Sequence, residues 1–181
     1  MLLHFQVFTL NLAQNHPMST NLILPLKKDI LVDYLRFVFE ASRTGPIALN
    51  RCEDIGKYIC SMVRSSQLPV KQIIPEDYHT VELLVPDSTF STAKNHFLYF
   101  RREDIEMIND HLMADFSIFF RRFMLIGDDI GIQQKDLLEA IIAGCKIRIN
   151  EQKFEMLKKK DYRYRTKIYD YVVKSIKQIN I

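Results

Sequence analysis

Apolar positions recur along the chain in two rhythms, one of every second residue and one of every third or fourth, and the change from one to the other marks the elements. The short run Leu22-Ile23-Leu24-Pro25-Leu26 predicts an edge strand, because Pro25 has no N–H to give to a ladder. A helix is expected over 27–42, where Ile30, Leu31, Tyr34, Leu35, Phe37, Val38 and Phe39 cover more than one face and imply deep burial. Thr44-Gly45-Pro46 breaks it. A second helix is expected from Asn50, with Glu53 three residues on completing a capping-box-like pair and Cys52, Ile55, Ile59, Met62 and Val63 forming its stripe. The two helices read as a packed pair.

Between 67 and 93 the texture changes. Pro69, Pro75 and Pro86 fall here with a cluster of Ser88, Thr89, Ser91 and Thr92, and the runs at 80–85 and 96–100 read as short strands. They predict a small antiparallel sheet that 22–26 and 47–49 can join. Next comes the strongest period in the chain. Ile105, Ile108, Leu112, Phe116, Phe119, Phe123 and Ile126 follow a heptad-like spacing, widened by Met113, Phe120 and Met124, that predicts a long helix stopping at Gly127. Such a seam serves either an intramolecular core or a homodimer, the latter through Leu112, Phe116, Phe119 and Phe123. A helix over 133–143 ends at Gly144, another covers 151–160, and Asp161 is expected to cap a last one striped by Ile168, Val172, Ile176 and Ile179.

The 181 residues thus predict a mostly helical α+β protein. It divides into an extension at 1–17, an α+β domain at 18–100 and a helical domain at 101–181. The first 17 residues lack the positive start of a secretory signal, so Met18 is the alternative start and an edge strand over 2–10 the other reading. Composition agrees with a globular chain: 48% hydrophobic and 26% charged, with five glycines. No stretch approaches a membrane span, so no membrane partner is expected. Three cysteines, an odd number, suggest free thiols in a reducing cytoplasm.

Charge changes the picture more. The net charge is +3, but 146–181 holds eleven Lys or Arg against four Asp or Glu, while the rest of the chain is net acidic. A basic end on an acidic body points to an anionic partner. Helices 133–143 and 151–160 across a short turn have the lengths of a helix-turn-helix unit. Around it Lys146, Arg148, Lys153, Lys158, Lys159, Lys160, Arg163, Arg165 and Lys167 are the candidates for phosphate contact, most simply with duplex DNA. In Asp161-Tyr162-Arg163-Tyr164-Arg165, aromatics alternate with guanidinium groups, a pattern that also suits stacking on unpaired bases. The plain alternative is that these cations only solvate outer helix faces.

The stretch Asp136-Leu137-Leu138-Glu139-Ala140-Ile141-Ile142, with Phe154-Glu155-Met156-Leu157-Lys158-Lys159 after the turn, resembles small proteins of bacterial mobile elements. The layout over 80–165, strand, long helix, basic helix-turn-helix, is similar to Mor-type phage transcription activators, which are dimers. The resemblance implies a non-enzymatic DNA-binding regulator. It carries no base-contacting residue over, since the small-residue turn of that family is absent. An adaptor that binds another protein is the competing expectation.

Other chemistry finds little support. Cys52, Cys60 and Cys145 have no zinc-ligand spacing, and the five histidines are scattered. Glu103, Asp104, Glu106, Asp128 and Asp129 read as caps and solvated charges. Ser65, Ser66 and Ser88 have no foreseeable histidine partner, and no phosphate loop or dinucleotide fingerprint occurs. No cofactor or metal is expected.

Overall fold

The computed structural model describes residues 20–72, 74–86, 97–148 and 151–179. The extension at 1–17 and the Ser/Thr cluster at 88–92 lie outside the described residues, as do His96 and the side chains of Val172, Ile176 and Ile179. The chain is α+β, with the order β1 (Thr20–Leu26), α1 (Asp29–Val38), β2 (Ile47–Ala48), α2 (Asp54–Met62), β3 (Arg64–Ser66), β4 (His79–Val85), β5 (Phe97–Tyr99), α3 (Arg102–Asp129), α4 (Gln134–Gly144) and α5 (Glu151–Ile179).

β4 is the centre of a three-stranded sheet. β1 lies antiparallel to it, with Leu22 opposite Leu83 and Leu24 opposite Val81. β2 lies on its other side and runs parallel, so the sheet is mixed rather than antiparallel throughout. Parallel strands need a long crossover rather than a tight turn, and between β2 and β4 the chain passes through α2 and β3. Val81, Leu83 and Val85 bury one face of β4, as period-two alternation requires. β3, which the sequence reading did not anticipate, pairs with β5 in a separate antiparallel ladder.

α1 is shorter than the expected 27–42. Glu40 adopts a positive φ of 49°, and Arg36 holds the loop by donating to Ser42 O at 2.7 Å and Gly45 O at 2.9 Å. α2 begins four residues after Asn50, whose side chain accepts from the N–H groups of Cys52 and Glu53 in a turn before the helix.

α3 is 28 residues long and runs through Gly127, the stop expected from the sequence. Gly131 instead supplies the left-handed turn, at φ 80°. Its buried side is Ile105, Ile108, Leu112, Phe116, Phe120, Met124 and Gly127, an average step of about 3.7 residues, close to the 3.6 of a straight helix. The heptad expectation therefore loses register after Phe116. Phe119 and Phe123 only flank the core, and Ile126 is 65% exposed. Leu112 and Phe116, expected at a dimer seam, lie inside this chain's own core with 0% and 1% exposure. Phe119 packs against Tyr34 and Phe37 of α1 at ring-centre distances of 5.6 and 5.4 Å.

α4 ends in a turn where Lys146, not Gly144, takes the left-handed conformation at φ 50°. α5 is a single helix of 29 residues, about 43 Å long at the ordinary rise. The break expected at Asp161 does not occur. That carboxylate is buried in the helix interior, accepting from Gln134 Nε2 at 2.5 Å and Arg165 Nε at 2.8 Å. One hydrophobic cluster extends from Leu22 to Leu157 and joins the sheet to all five helices.

Candidate functional site

The basic tail divides into two sets once α5 is packed. The first set is paired with carboxylates, some on α5 itself and some from earlier in the chain. Arg148 donates from Nε to Asp33 Oδ1 at 3.0 Å and from its backbone N–H to Oδ2 at 2.9 Å. Asp33 is buried, so this pairing satisfies a carboxylate that would otherwise stand uncompensated in the core. Lys153 pairs with Asp29 and donates to Arg148 O at 2.6 Å. Arg165 bridges Asp161 and Asp128, each at 2.8 Å. Lys158 lies 3.8 Å from Glu155, a neighbour on its own helix. Lys146 is exposed at the turn, beside a different cavity of about 610 Å³ bordered by Asp33, Tyr34, Asp115 and Cys145.

The second set gathers. Lys159, Lys160, Arg163 and Lys167 line one groove of about 820 Å³ between α5, α3 and the start of α1. Helical spacing explains it: 160, 163 and 167 stand three and four apart, and 159 borders them on the same side. Lys28 and Arg121, which lie outside the tail and were not anticipated, complete a group of six cations. Glu155 is the acid among the lining residues. The remaining walls are apolar or aromatic: Ile30, Met113, Phe116, Met156 and Tyr164. The Arg121 guanidinium stacks 4.5 Å above the Tyr164 ring, which fixes both against the groove wall.

Lys160 is the most enclosed of the six. Its Nζ donates to Ser117 Oγ at 2.7 Å and sits 5.0 Å from the centre of the Phe116 ring. Burial first, and then the charges of Arg121 and Lys28, push its ammonium down to about 8.

The other candidates play structural parts. Asp104 Oδ2 accepts from the Arg101 N–H at 3.1 Å, and its two oxygens face Arg64 at 3.3 and 3.4 Å. Glu106 pairs with Lys27 and accepts from Tyr78 Oη at 3.0 Å; those two hydrogen bonds hold its carboxyl below the ordinary value. Asn109 is buried where β1 passes into α1, donating to Pro25 O at 3.0 Å and accepting from Lys27 N at 2.7 Å. Tyr34 donates to Asp115 at 2.5 Å, and burial, then that bond, raise its hydroxyl far above the usual range. Burial pushes the Cys145 thiol up to about 11, which makes it unreactive near neutral pH. None of Cys52, Cys60 and Cys145 is in a disulfide. His111 stacks on Tyr58 at 4.1 Å between ring centres. Among the described residues no group of His, Cys, Asp or Glu has the geometry to hold a metal ion, and no helix is long and apolar enough to cross a membrane.

The signal for the groove was partly present in the sequence, as the run of cations at 146–167. What that run could not reveal is which of them Asp29, Asp33 and Asp128 would withdraw, and that Lys28 and Arg121 would join the rest. In comparisons with known proteins, no family model matches the chain, and neither a curated protein nor a solved structure matches it.

Proposed function

We propose that the chain binds nucleic acid, most simply duplex DNA, through the cationic groove between α3 and α5, and acts as a non-enzymatic accessory or regulatory protein. The single observation that supports the reading is the convergence of Lys28, Arg121, Lys159, Lys160, Arg163 and Lys167 on one groove in which, among the described residues, Glu155 is the lone acidic lining residue. Phosphates attract such a cluster, and each phosphate contact displaces condensed counterions. The earlier resemblance in layout to Mor-type activators of phage and mobile elements points the same way. On this reading Arg163 and Lys167 contact phosphates, while Arg148, Lys153 and Arg165 hold α5 in place.

Anisotropy of a labelled 20-base-pair duplex, titrated at 50 and 200 mM salt, tests it. Four or so contacts predict a loss of affinity on the order of a hundredfold between the two salts. Arg163→Ala with Lys167→Ala lowers the salt slope by about two, whereas Lys158→Ala leaves it nearly unchanged. No binding at low salt, or binding indifferent to salt, rejects the proposal.

A second reading has its own observation. Leu125, Ile126, Ile130 and Ile132 are exposed together where α3 ends, at 41%, 65%, 67% and 41%. Apolar groups clustered in this way suit contact with another protein chain, including a second copy. Sedimentation of the wild type against Ile126→Glu/Ile130→Glu separates the readings: association lost in the variant favours the adaptor.

A further inference from the structure

Half-buried lysines are ordinarily neutralised by a carboxylate. Lys160 is not: among the described residues its Nζ has Ser117 Oγ at 2.7 Å as its hydrogen-bond partner and no acid within ion-pair distance. Ser117 gives its own proton to Met113 O at 2.5 Å, so its oxygen is left to accept from Lys160. The charged groups that share the groove with Lys160 are Lys28 from the start of α1, Arg121 from α3, and Lys159, Arg163, Lys167 and Glu155 from its own helix. Glu155 is turned to Lys158 at 3.8 Å.

A lysine partly withdrawn from water beside other cations is the arrangement that activates an amine for attack on carbonyls. Held near 8 instead of 10.5, Lys160 has roughly two hundredfold more neutral amine at pH 7.5 than a solvent lysine. The groove supplies the rest of a ligand site. Its volume of about 820 Å³ lies in the range of small-molecule pockets, its rim carries cations for phosphate, and Met113, Phe116, Met156 and Tyr164 give it apolar walls.

From this juxtaposition we propose that Lys160 forms an imine with the aldehyde of a phosphate-bearing ligand seated in the groove between α3 and α5. The inference shares with the nucleic-acid reading the premise that phosphate seats there, and adds a covalent bond. The Nζ lone pair attacks the carbonyl carbon and makes the C–N bond while the carbonyl π pair moves to oxygen. That oxygen takes a proton released by the nitrogen, giving a carbinolamine. Loss of its hydroxyl as water then forms C=N. Amine and aldehyde become imine and water, with no oxidant or reductant. Two sources offer this chemistry, a small phosphorylated aldehyde and the ring-opened sugar of an abasic nucleotide in DNA.

The test treats the full chain with one equivalent of pyridoxal 5′-phosphate at pH 7.5, reduces with borohydride, and maps the adduct by peptide mass spectrometry. The expected result is a single adduct on Lys160 in the wild type. Unphosphorylated pyridoxal labels at least about tenfold more slowly, because it lacks the group that the cations hold. Lys160→Arg keeps the charge and loses the adduct. A second arm replaces the small aldehyde with an oligonucleotide carrying one abasic site, and a cross-link at Lys160 identifies the DNA-borne source. Label spread over exposed lysines such as Lys135 and Lys159, or no label from either probe, overturns the inference. A Lys160 adduct without duplex binding removes only the nucleic-acid reading; duplex binding without an adduct removes only this one.

Discussion

At Lys160 the folded state holds an ammonium partly away from water, above Phe116 and facing Lys28 and Arg121. Its folded value of about 8 lies below the ordinary 10.5, so the unfolded chain binds the proton more tightly. By linkage, this charge opposes folding fully below pH 8, and the penalty is relieved as pH rises from 8 toward 10.5. Lys160→Met removes it. At pH 7 the variant is expected to be more stable by about 1 kcal/mol, after discounting for solvent screening of a half-exposed group and the lost Ser117 bond. Thermal melts of both proteins at pH 7 and pH 10 check the sign, since the gap must close at the higher pH; a gap that stays constant contradicts the account. Lys146 is held against its preference for another reason. It turns the chain after α4 at φ 50°, donating to Ala143 O at 3.1 Å, and a Cβ disfavours that conformation. Lys146→Gly is expected to raise the urea midpoint, by about 0.5–1 kcal/mol in stability.

At the scale of elements, the contact between α3 and α4 decides more than their propensities do. A Cβ at Gly127 would stand 2.0 Å from Leu137 Cδ2 and 2.9 Å from its Cγ, and Leu137 is itself buried in the core. Gly127→Ala is therefore expected to destabilise by about 1–3 kcal/mol, more than the roughly 1 kcal/mol that alanine returns in helix propensity. Gly144→Ala, with open space around it, has only the gain. Urea unfolding of the two variants, displaced in opposite directions, checks this; a stable Gly127→Ala protein would mean the helices can part without loss. The same contact explains what was legible in advance. A glycine before Asp128-Asp129 looks like a helix stop, and only its partner 10 residues on reveals a close approach. The existence of α3 was readable because Ile105, Ile108, Leu112 and Phe116 recur on one side. Its second half was read less well: Phe120 and Met124, expected only to widen the seam, are the ones a straight helix turns inward in place of Phe119 and Phe123. Asp161 misled in the same way. A carboxylate between basic runs resembles a cap, yet its partners are Arg165 one turn on and Gln134 on a different helix.

Across the whole molecule, the candidate site was legible only as a sum of charge. The excess of cations at 146–181 can be counted, but Arg148 finds Asp33 across 115 positions and Arg165 finds Asp128 across 37, and no local pattern encodes those pairs. They fasten α5 to the acidic front of the chain and leave Lys159, Lys160, Arg163 and Lys167 to the groove. The same integration bears on folding. Ile105, Ile108 and Leu112 of α3 share one cluster with Leu24 of β1, Leu35 of α1 and Leu157 of α5, so a boundary drawn at residue 100 passes through packed core. Separating 101–181 from the rest would expose that side of α3 to water, at roughly 1.5–3 kcal/mol for each large side chain uncovered. The described residues should therefore unfold as one cooperative unit, and calorimetry is expected to give a single transition with equal calorimetric and van't Hoff enthalpies. An earlier, separate transition in which α4 and α5 melt from a folded sheet would show that the ion pairs to Asp33 and Asp128, rather than the shared core, hold the tail. In that case α5, and with it the groove, would be the weakest element of the fold.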